Sequence, residues 1–212
     1  MSTNPPSASL AIPGKRNLIT DVDGIRVGNA EDPAARSGTT IILPDNDVVA
    51  AVDVRGGAPG TRDVDALEPG CIVETVQAIA LSGGSVFGFD AASGVASWLS
   101  TRGRGVAFGG AVIPVVPGAI LFDYPIGGDR DWGLVPPYRD LGIQACEAAG
   151  HEFPLGNVGA GYGATAGSLK GGLGSVSMVS EDGIQVGAVM AVNPFGSTVM
   201  PGTDAFWAWP WE

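Results

Sequence analysis

Short apolar runs separated by turn-forming residues dominate this chain, and they predict β-strands. Residues 39–43 and 48–54 flank the turn sequence Pro-Asp-Asn-Asp and predict a β-hairpin. Residues 173–179 and 184–192 flank Glu-Asp-Gly and predict a second hairpin. Residues 72–81 are apolar without a clear period, and we interpret them as a short helix that runs into a buried strand ending at Leu81.

Two segments have the apolar spacing of amphipathic helices. The first follows Ser85, its predicted N-cap, and is closed by Gly103. The second covers residues 138–149, after two prolines and before a glycine. Strands and helices together, with 45% hydrophobic residues in 212, indicate an α/β (or α+β) fold. We expect a disordered, Pro/Ser/Asn-rich arm over residues 1–16 and a single domain over 17–212.

The charge balance is acidic, with 11 Lys plus Arg against 22 Asp plus Glu. The only basic cluster is the pair Lys15 and Arg16, so a phosphate-tracking surface is absent and nucleic-acid binding is disfavoured. The acidic balance is typical of a soluble protein. Attraction of cationic substrates is the alternative interpretation.

Cysteine and histidine usage argues against metal and cofactor chemistry. Cys71 and Cys146 form no metal-binding or disulfide pattern, and His151 is the sole histidine, which excludes a multi-histidine centre. Nothing around His151 suggests a Ser-His-Asp triad. The chain has no apolar stretch of about 18 residues and no signal-peptide pattern at its start. We therefore expect a soluble cytoplasmic protein without metal, cofactor or membrane contact.

Two glycine-rich stretches are candidate sites, because glycine-rich backbone permits close approach to a ligand or to other backbone. Residues 157–174 contain Lys170, one of only two lysines. A formal dinucleotide-binding pattern within them is treated as accidental, since later glycines interrupt the helix that this motif needs. Residues 82–85, Ser-Gly-Gly-Ser, precede the first predicted helix. Their glycines either leave amides free for an anion or allow close packing of helix on sheet.

Six segments, in this order along the chain, resemble the DmpA-type self-processing aminopeptidases. That family includes L-aminopeptidase/D-Ala-esterases, β-peptidyl aminopeptidases and nylon-oligomer hydrolases. The segments are 53–62 (DVRGGAPGTR), 78–95 (AIALSGGSVFGFDAASGV), 113–123 (IPVVPGAILFD), 156–167 (GNVGAGYGATAG), 170–175 (KGGLGS) and 192–196 (VNPFG).

The resemblance implies an αββα sandwich similar to that of N-terminal-nucleophile hydrolases and ornithine acetyltransferases. It also implies a precursor that cleaves itself, so that a new N-terminal Thr or Ser attacks an amide or ester carbonyl. The α-amine of that residue, with an ordinary pKa of about 8, serves as its base. The family's Gly/Asn-Thr/Ser motif does not follow residues 192–196 at a suitable distance, so we expect this chain to correspond to the α-subunit.

By the same resemblance, Asn193 binds the oxyanion and Lys170 lies near the nucleophile, although Ser168 is the other candidate for the lysine position. Phe122 stands where some members have a functional Tyr. Tyr124 is either the substitute for that hydroxyl or, as we expect, a packing residue. The pocket-shaping and substrate-binding residues are then Gly83, Gly84, Ser85, Gly161, Tyr162 and Phe122.

The partners that the resemblance implies are a second subunit from the same precursor and a small peptide, amide or ester substrate. It also implies a homo-oligomer, specifically a tetramer of two-chain protomers. An acyltransferase of the ornithine acetyltransferase type and a non-catalytic, degenerate member are the alternatives.

Overall fold

The structure is a computed structural model that describes residues 11–211. Within that range the α-helices are α1 (Asp90–Ser100) and α2 (Tyr138–Glu147). The strands are β1 (Ile12–Pro13), β2 (Ile25–Asp32), β3 (Ser37–Pro44), β4 (Thr61–Arg62), β5 (Ile79–Ser82), β6 (Val106–Phe108), β7 (Ala111–Ile113), β8 (Gly118–Ile120), β9 (Thr165–Ala166), β10 (Leu169–Lys170), β11 (Gly172–Val179) and β12 (Gln185–Val192).

A five-stranded sheet in the order β2-β3-β5-β8-β4 forms the centre of the molecule. Its strands are antiparallel to their neighbours except for β5 and β8, which are parallel, with Ala80 opposite Gly118. Every residue of β3 is buried, as expected of a central strand that is covered on both faces. Its run of Thr, Ile and Leu residues suits that position because β-branched side chains pack well on a pleated surface.

Both helices pack on one face of this sheet and against each other. Gly94 of α1 and Gly142 of α2 permit the close approach, since a Cβ at either would overlap with backbone of the other helix. The buried core between helices and sheet includes Ile41, Leu43, Ala80, Val95, Leu99, Tyr138, Leu141 and Ala145.

A second sheet, in the order β1-β11-β12, covers the opposite face of the central sheet. The hairpin β11–β12 pairs Gly172 with Val192 at one end and Val179 with Gln185 at the other. Leu173, Val27 and Ile42 meet in the core between the two sheets. The layers are therefore helices, sheet and sheet, which are three of the four layers of an αββα sandwich; residues 11–211 supply no second layer of α-helices. Among residues 11–211, no helix has the length and hydropathy needed to cross a membrane.

Three sequence predictions are confirmed in outline. The hairpin predicted over 173–192 is β11–β12, and the two predicted helices are α1 and α2. The start of the first helix differs: a 3-10 turn, Ser85–Phe89, precedes α1, and Gly84 with φ of 84° is the N-cap of that turn. Ser85 itself has a positive φ of 53°, which an ordinary N-cap residue does not adopt.

Two secondary-structure predictions are wrong. The hairpin between residues 39–43 and 48–54 does not form, because β3 pairs with β2 and β5 instead. Val48 makes only an isolated bridge to Val76, and Val49 is 82% exposed, so the second run has no surface to pack on. Residues 72–78 contain no helix, and Ile72 is 98% exposed, so that only the strand β5 is present in this segment.

The structure changes part of the prediction that residues 1–16 form a disordered arm. Ile12 and Pro13 belong to β1, which pairs with Val179 and Met178 of β11, so a disordered arm would have to end before them. Residues 1–10, where most of that arm was predicted, lie outside the described residues.

Candidate active site

Two cavities lie on either side of the hairpin formed by β9 and β10. One has a volume of about 520 Å³ and is lined by Lys170 of β10, together with residues of β11 and of the segment 198–208. The other has a volume of about 740 Å³ and is lined by Asn193 and Phe122. Thr165 and Ala166 of β9 face different cavities, as neighbouring residues of a strand do. The structure thus brings Lys170, Asn193 and Phe122 to one region.

Asn193 directly follows the last residue of β12. Its amide Nδ2 donates a hydrogen bond to the backbone oxygen of Thr165, 3.1 Å away, which ties the side chain to the β9–β10 hairpin. A primary amide has two N–H donors, so one bond fixes the group and the other hydrogen stays available to a ligand. The hydrogen bond therefore fixes the orientation of the Asn193 amide in the absence of a ligand.

Lys170 is also held by a backbone oxygen. Its Nζ donates to the carbonyl oxygen of Tyr162, 2.8 Å away. Partial burial, followed by the positive charge of Arg36, lowers the pKa of Lys170, while the negative charge of Asp123 opposes that shift. The ammonium therefore loses its proton at a lower pH than a free lysine does. Ser168, the alternative candidate, is exposed between β9 and β10 and lines neither cavity.

Phe122 forms a wall of the larger cavity and is 58% exposed. Its ring stacks on that of Tyr124, with centroids 5.4 Å apart and planes 10° apart. The Arg130 guanidinium carbon lies 4.6 Å from the centroid of the Tyr124 ring. Tyr124 is thus a packing partner that supports Phe122.

The backbone amides of the turn at Gly83 and Gly84 donate hydrogen bonds to other groups of this chain. The backbone N–H groups of Gly83, Gly84 and Ser85 donate to Gly38 O, Asp123 Oδ1 and Leu121 O. A Cβ at Gly83 would overlap with the Asp123 carboxylate, and one at Gly84 would overlap with the Tyr138 ring. The contacts favour the packing interpretation of these glycines over the anion-binding one. Any substrate contact by Gly83, Gly84 or Ser85 would have to use groups other than these amides.

Gly161 and Tyr162 lie close to Lys170 but line neither cavity. Gly161 is buried in a 3-10 turn, Gly159–Gly161, where a Cβ would overlap with backbone of β11. The short strand β9 follows instead of a helix, so the formal dinucleotide pattern here is indeed accidental. Tyr162 contributes the carbonyl oxygen that holds Lys170.

Sequence reasoning missed a buried polar network behind Phe122. Asp123 is fully buried and accepts hydrogen bonds from Ser37 Oγ at 2.5 Å, Gly84 N at 2.9 Å and Arg130 Nη2 at 3.3 Å. The Tyr138 hydroxyl donates to Ser37 Oγ at 3.1 Å, and burial raises the pKa of Tyr138 to about 12. The one signal in the sequence was a carboxylate placed directly after an apolar run.

Known proteins match nearly the whole of this chain. A family model described as peptidase family S58 matches residues 17–208. An uncharacterized aminopeptidase of Mycobacterium tuberculosis is 47% identical over 199 residues, which cover 90% of this chain and 57% of that protein. A 6-aminohexanoate-oligomer endohydrolase of Kocuria is 32% identical over 190 residues, covering 86% of this chain and 50% of that protein. The chain thus spans about half the length of these relatives.

Solved structures agree with the observed layers. The PH0078 protein of Pyrococcus horikoshii superposes with a TM-score of 0.70 at 30% identity, covering 89% of this chain and 57% of that one. The L-aminopeptidase D-Ala-esterase/amidase of Ochrobactrum anthropi, described as a variant of the Ntn hydrolase fold, gives 0.68 at 24% identity, with 88% and 55% covered. The fold class is therefore that of the Ntn hydrolases, and the match over residues 17–208 establishes that the chain belongs to peptidase family S58.

Proposed function

We propose that this chain is one part of a self-processing amide hydrolase of the aminopeptidase class. In this proposal residues 17–212 form a single domain that is completed by a second chain from the same precursor. That second chain carries an N-terminal Thr or Ser as the nucleophile. Support comes from the family and from the names of the relatives, which are an aminopeptidase and an oligomer endohydrolase.

The observation that carries the proposal is the pre-oriented amide of Asn193 beside the β9–β10 hairpin. The nucleophile's hydroxyl would attack the substrate carbonyl and pass its proton to its own α-amine. Asn193 would donate its remaining N–H to the resulting oxyanion. The C–N bond then breaks, the amine leaves with that proton, and water releases the acyl group from the enzyme.

Lys170 would act from the other side of the same hairpin. One of its three N–H groups is used by the Tyr162 oxygen, which leaves two for the nucleophile or the oxyanion. Its ammonium would also favour negative charge on the reacting oxygen through the attraction of opposite charges. We assign the two side chains complementary roles for these reasons.

Hydrolysis is favoured over acyl transfer because the relatives named for a reaction carry hydrolase names. A tetramer of two-chain protomers is part of the proposal by family analogy alone. A cytoplasmic location fits Cys71 and Cys146, which do not pair with each other.

The first experiment is intact mass spectrometry and N-terminal sequencing of every polypeptide that copurifies with this chain after expression of its full reading frame. A companion that begins with Thr or Ser supports the proposal and identifies the nucleophile. A companion that begins with another residue, or none at all, contradicts it.

Replacement of Asn193 by Ala tests the site itself. We expect kcat to fall by roughly 10²–10³-fold, the usual effect of losing one oxyanion donor, with little change in melting temperature. Asn46→Ala, in an exposed turn, is the matched control and should leave kcat unchanged. A large loss of stability with unaltered kcat would instead give Asn193 a structural role and contradict its place as the oxyanion donor.

A further inference from the structure

We propose that Thr40, on the central strand β3, is a positioning residue for Lys170. Its hydroxyl holds the glycine-rich turn Gly159–Gly161, and the residue after that turn supplies the carbonyl oxygen to which Lys170 is bound. This inference rests on the proposed function, because it explains how the chain fixes a side chain to which that function gives a role in the reaction.

The hydroxyl of Thr40 makes two hydrogen bonds. It donates its hydrogen to Oδ1 of Asn29, the residue opposite it on β2, at 2.7 Å. Its oxygen accepts a hydrogen bond from the backbone amide of Ala160 at 2.9 Å. Asn29 is held in turn, since its Nδ2 donates to the carbonyl oxygen of Pro154 at 3.2 Å. Because a hydroxyl has one hydrogen to donate, the bond to Asn29 directs the lone pairs of Thr40 toward the turn.

The same face of the β2–β3 pair holds the turn at two further points. Oε1 of Glu31 accepts a hydrogen bond from the backbone amide of Gly159 at 2.5 Å. A Cβ at Gly38 would overlap with the Gly159 carbonyl, and a Cβ at Gly159 would overlap with the side chains of Thr40 and Asn29. The turn therefore lies directly on the sheet, and side chains of the sheet satisfy its first two amides.

The turn leads to the group that holds Lys170. The backbone amide of Tyr162 donates to the carbonyl oxygen of Gly159 at 3.0 Å. The carbonyl oxygen of Tyr162 accepts the hydrogen bond from Lys170 Nζ at 2.8 Å. A displacement of the turn would therefore move the Tyr162 carbonyl and, with it, the ammonium group.

The support that Thr40 gives to the turn is complete within this chain. Thr40 and Ala160 are both fully buried, so their hydrogen bond is out of reach of any other chain. A second chain could contact Lys170 itself, but it would do so equally in the wild type and in every variant of Thr40. Differences between these variants thus report the support from β3.

Replacement of Thr40 by Val, which keeps the shape of the side chain and removes the hydroxyl, tests the inference on the complete enzyme. We expect kcat to fall at least about tenfold, because a small displacement of a reacting group is enough for such a loss. Thr40→Ser keeps the hydroxyl and should restore most of the turnover. Thr39→Val is the matched control, since Thr39 is equally buried but bonds to Ser82 on the helix-covered face of the sheet. It should lower the melting temperature and leave kcat unchanged.

Lysine-selective NMR follows Lys170 without any turnover. The chain has only two lysines, so ¹³C-labelled lysine gives Lys170 a signal that the variant Lys170→Arg identifies, and the exposed Lys15 is an internal reference. Burial lowers the pKa of Lys170 from the ordinary value of 10.5. Thr40→Val should move that pKa back toward 10.5, because a displaced ammonium group regains water. Thr40→Ser and Thr39→Val should keep the wild-type midpoint.

The two measurements separate this inference from the proposed function. A shifted Lys170 midpoint in Thr40→Val with unchanged kcat would keep the positioning role and contradict the part of the proposed function that assigns Lys170 to the reaction. An unchanged midpoint would overturn the inference, whatever happens to turnover. A midpoint that shifts equally in Thr39→Val would also overturn it, because the effect would then be a general loosening of the sheet.

A second variant serves if Thr40→Val does not fold. Glu31→Ala removes the acceptor of the Gly159 amide at a partly exposed position, and Glu31→Gln is its conservative counterpart, which keeps an oxygen at that place. The Lys170 midpoint should shift toward 10.5 in Glu31→Ala and stay close to the wild-type value in Glu31→Gln. Equal midpoints in these two variants would overturn the inference.

Discussion

Asp123 is the residue on which the packing behind the candidate site depends. Its carboxylate joins the end of the run 118–122 to β3 through Ser37, to the turn before α1 through Gly84, and to the loop before α2 through Arg130. Buried carboxylates are tolerated only when charge and hydrogen bonds compensate for lost water, and here three donors do so. The neighbouring Phe122 is thereby held at the wall of the larger cavity.

Replacement of Asp123 by Asn should destabilise the protein by about 3 kcal/mol, because the amide removes the charged partner of the partly buried Arg130 and turns an NH₂ group toward existing donors. The free energy of unfolding, measured by urea denaturation, tests this. Asp140→Asn, on an exposed position of α2, is the matched control and should change it by less than about 0.5 kcal/mol. Equal values for the two variants would show that the network contributes nothing.

Lys170 leads to a prediction about pH. Burial places its pKa below the ordinary lysine value of 10.5, so the ammonium form is present at low pH and is lost as pH rises through the lowered pKa. If the ammonium assists the reaction, kcat/KM should fall on the alkaline side, beginning below pH 10.5. Lys170→Arg should keep its activity to higher pH, because the guanidinium stays protonated to above about pH 12.

The control for this profile is Lys15→Arg, an exposed position far from the site in sequence, which should reproduce the wild-type alkaline limb. An activity that rises as Lys170 loses its proton would mean that the neutral amine acts as a base. An identical alkaline limb in Lys170→Arg would remove Lys170 from the ionisation that controls turnover.

At the scale of elements, the sequence patterns predicted those elements that interactions within a single segment determine. The helices α1 and α2 and the hairpin β11–β12 follow from apolar spacing and from turn residues within each segment. The pairing of the strands could not be predicted in this way. Apolar runs lie near β3 on both sides in the sequence, and their pattern does not show which of them pairs with it. The decisive signal lay at Asp32, whose Oδ1 accepts hydrogen bonds from the amides of Ala34 and Ala35 and so closes the β2–β3 turn.

The candidate site, too, could be predicted only in part from the sequence. Asn193 was identified only through the resemblance to a family. Lys170 was identified first by its place in the glycine-rich stretch 157–174, and its role came from the resemblance. Beyond the position of the Asp123 carboxylate after an apolar run, the network could not be predicted, because its members Ser37, Arg130 and Tyr138 come from separate segments. Only the packing of α2 and the central sheet brings these side chains together.

At the scale of the whole molecule, one surface is unusually apolar. The outer face of β11–β12, which points away from the central sheet, exposes Val176, Met178, Val186 and Met190 by 49–64%. Alternation along the two strands places these four side chains together, opposite the face that packs on the core. Since the chain spans about half the length of its relatives, the proposed second chain is the occupant that fits this surface.

The combined variant Val176→Lys and Met190→Lys should therefore reduce the amount of second chain that copurifies with this one, because two ammonium groups would be buried without partners in the interface. The measurement is the ratio of the two chains after affinity capture of the first. Ile72→Lys combined with Val49→Lys, both in an exposed segment between β3 and β5, is the matched control and should keep the wild-type ratio. An unchanged ratio in the outer-face variant, together with a smaller particle in light scattering, would show that this face joins copies of the protomer and not its two chains.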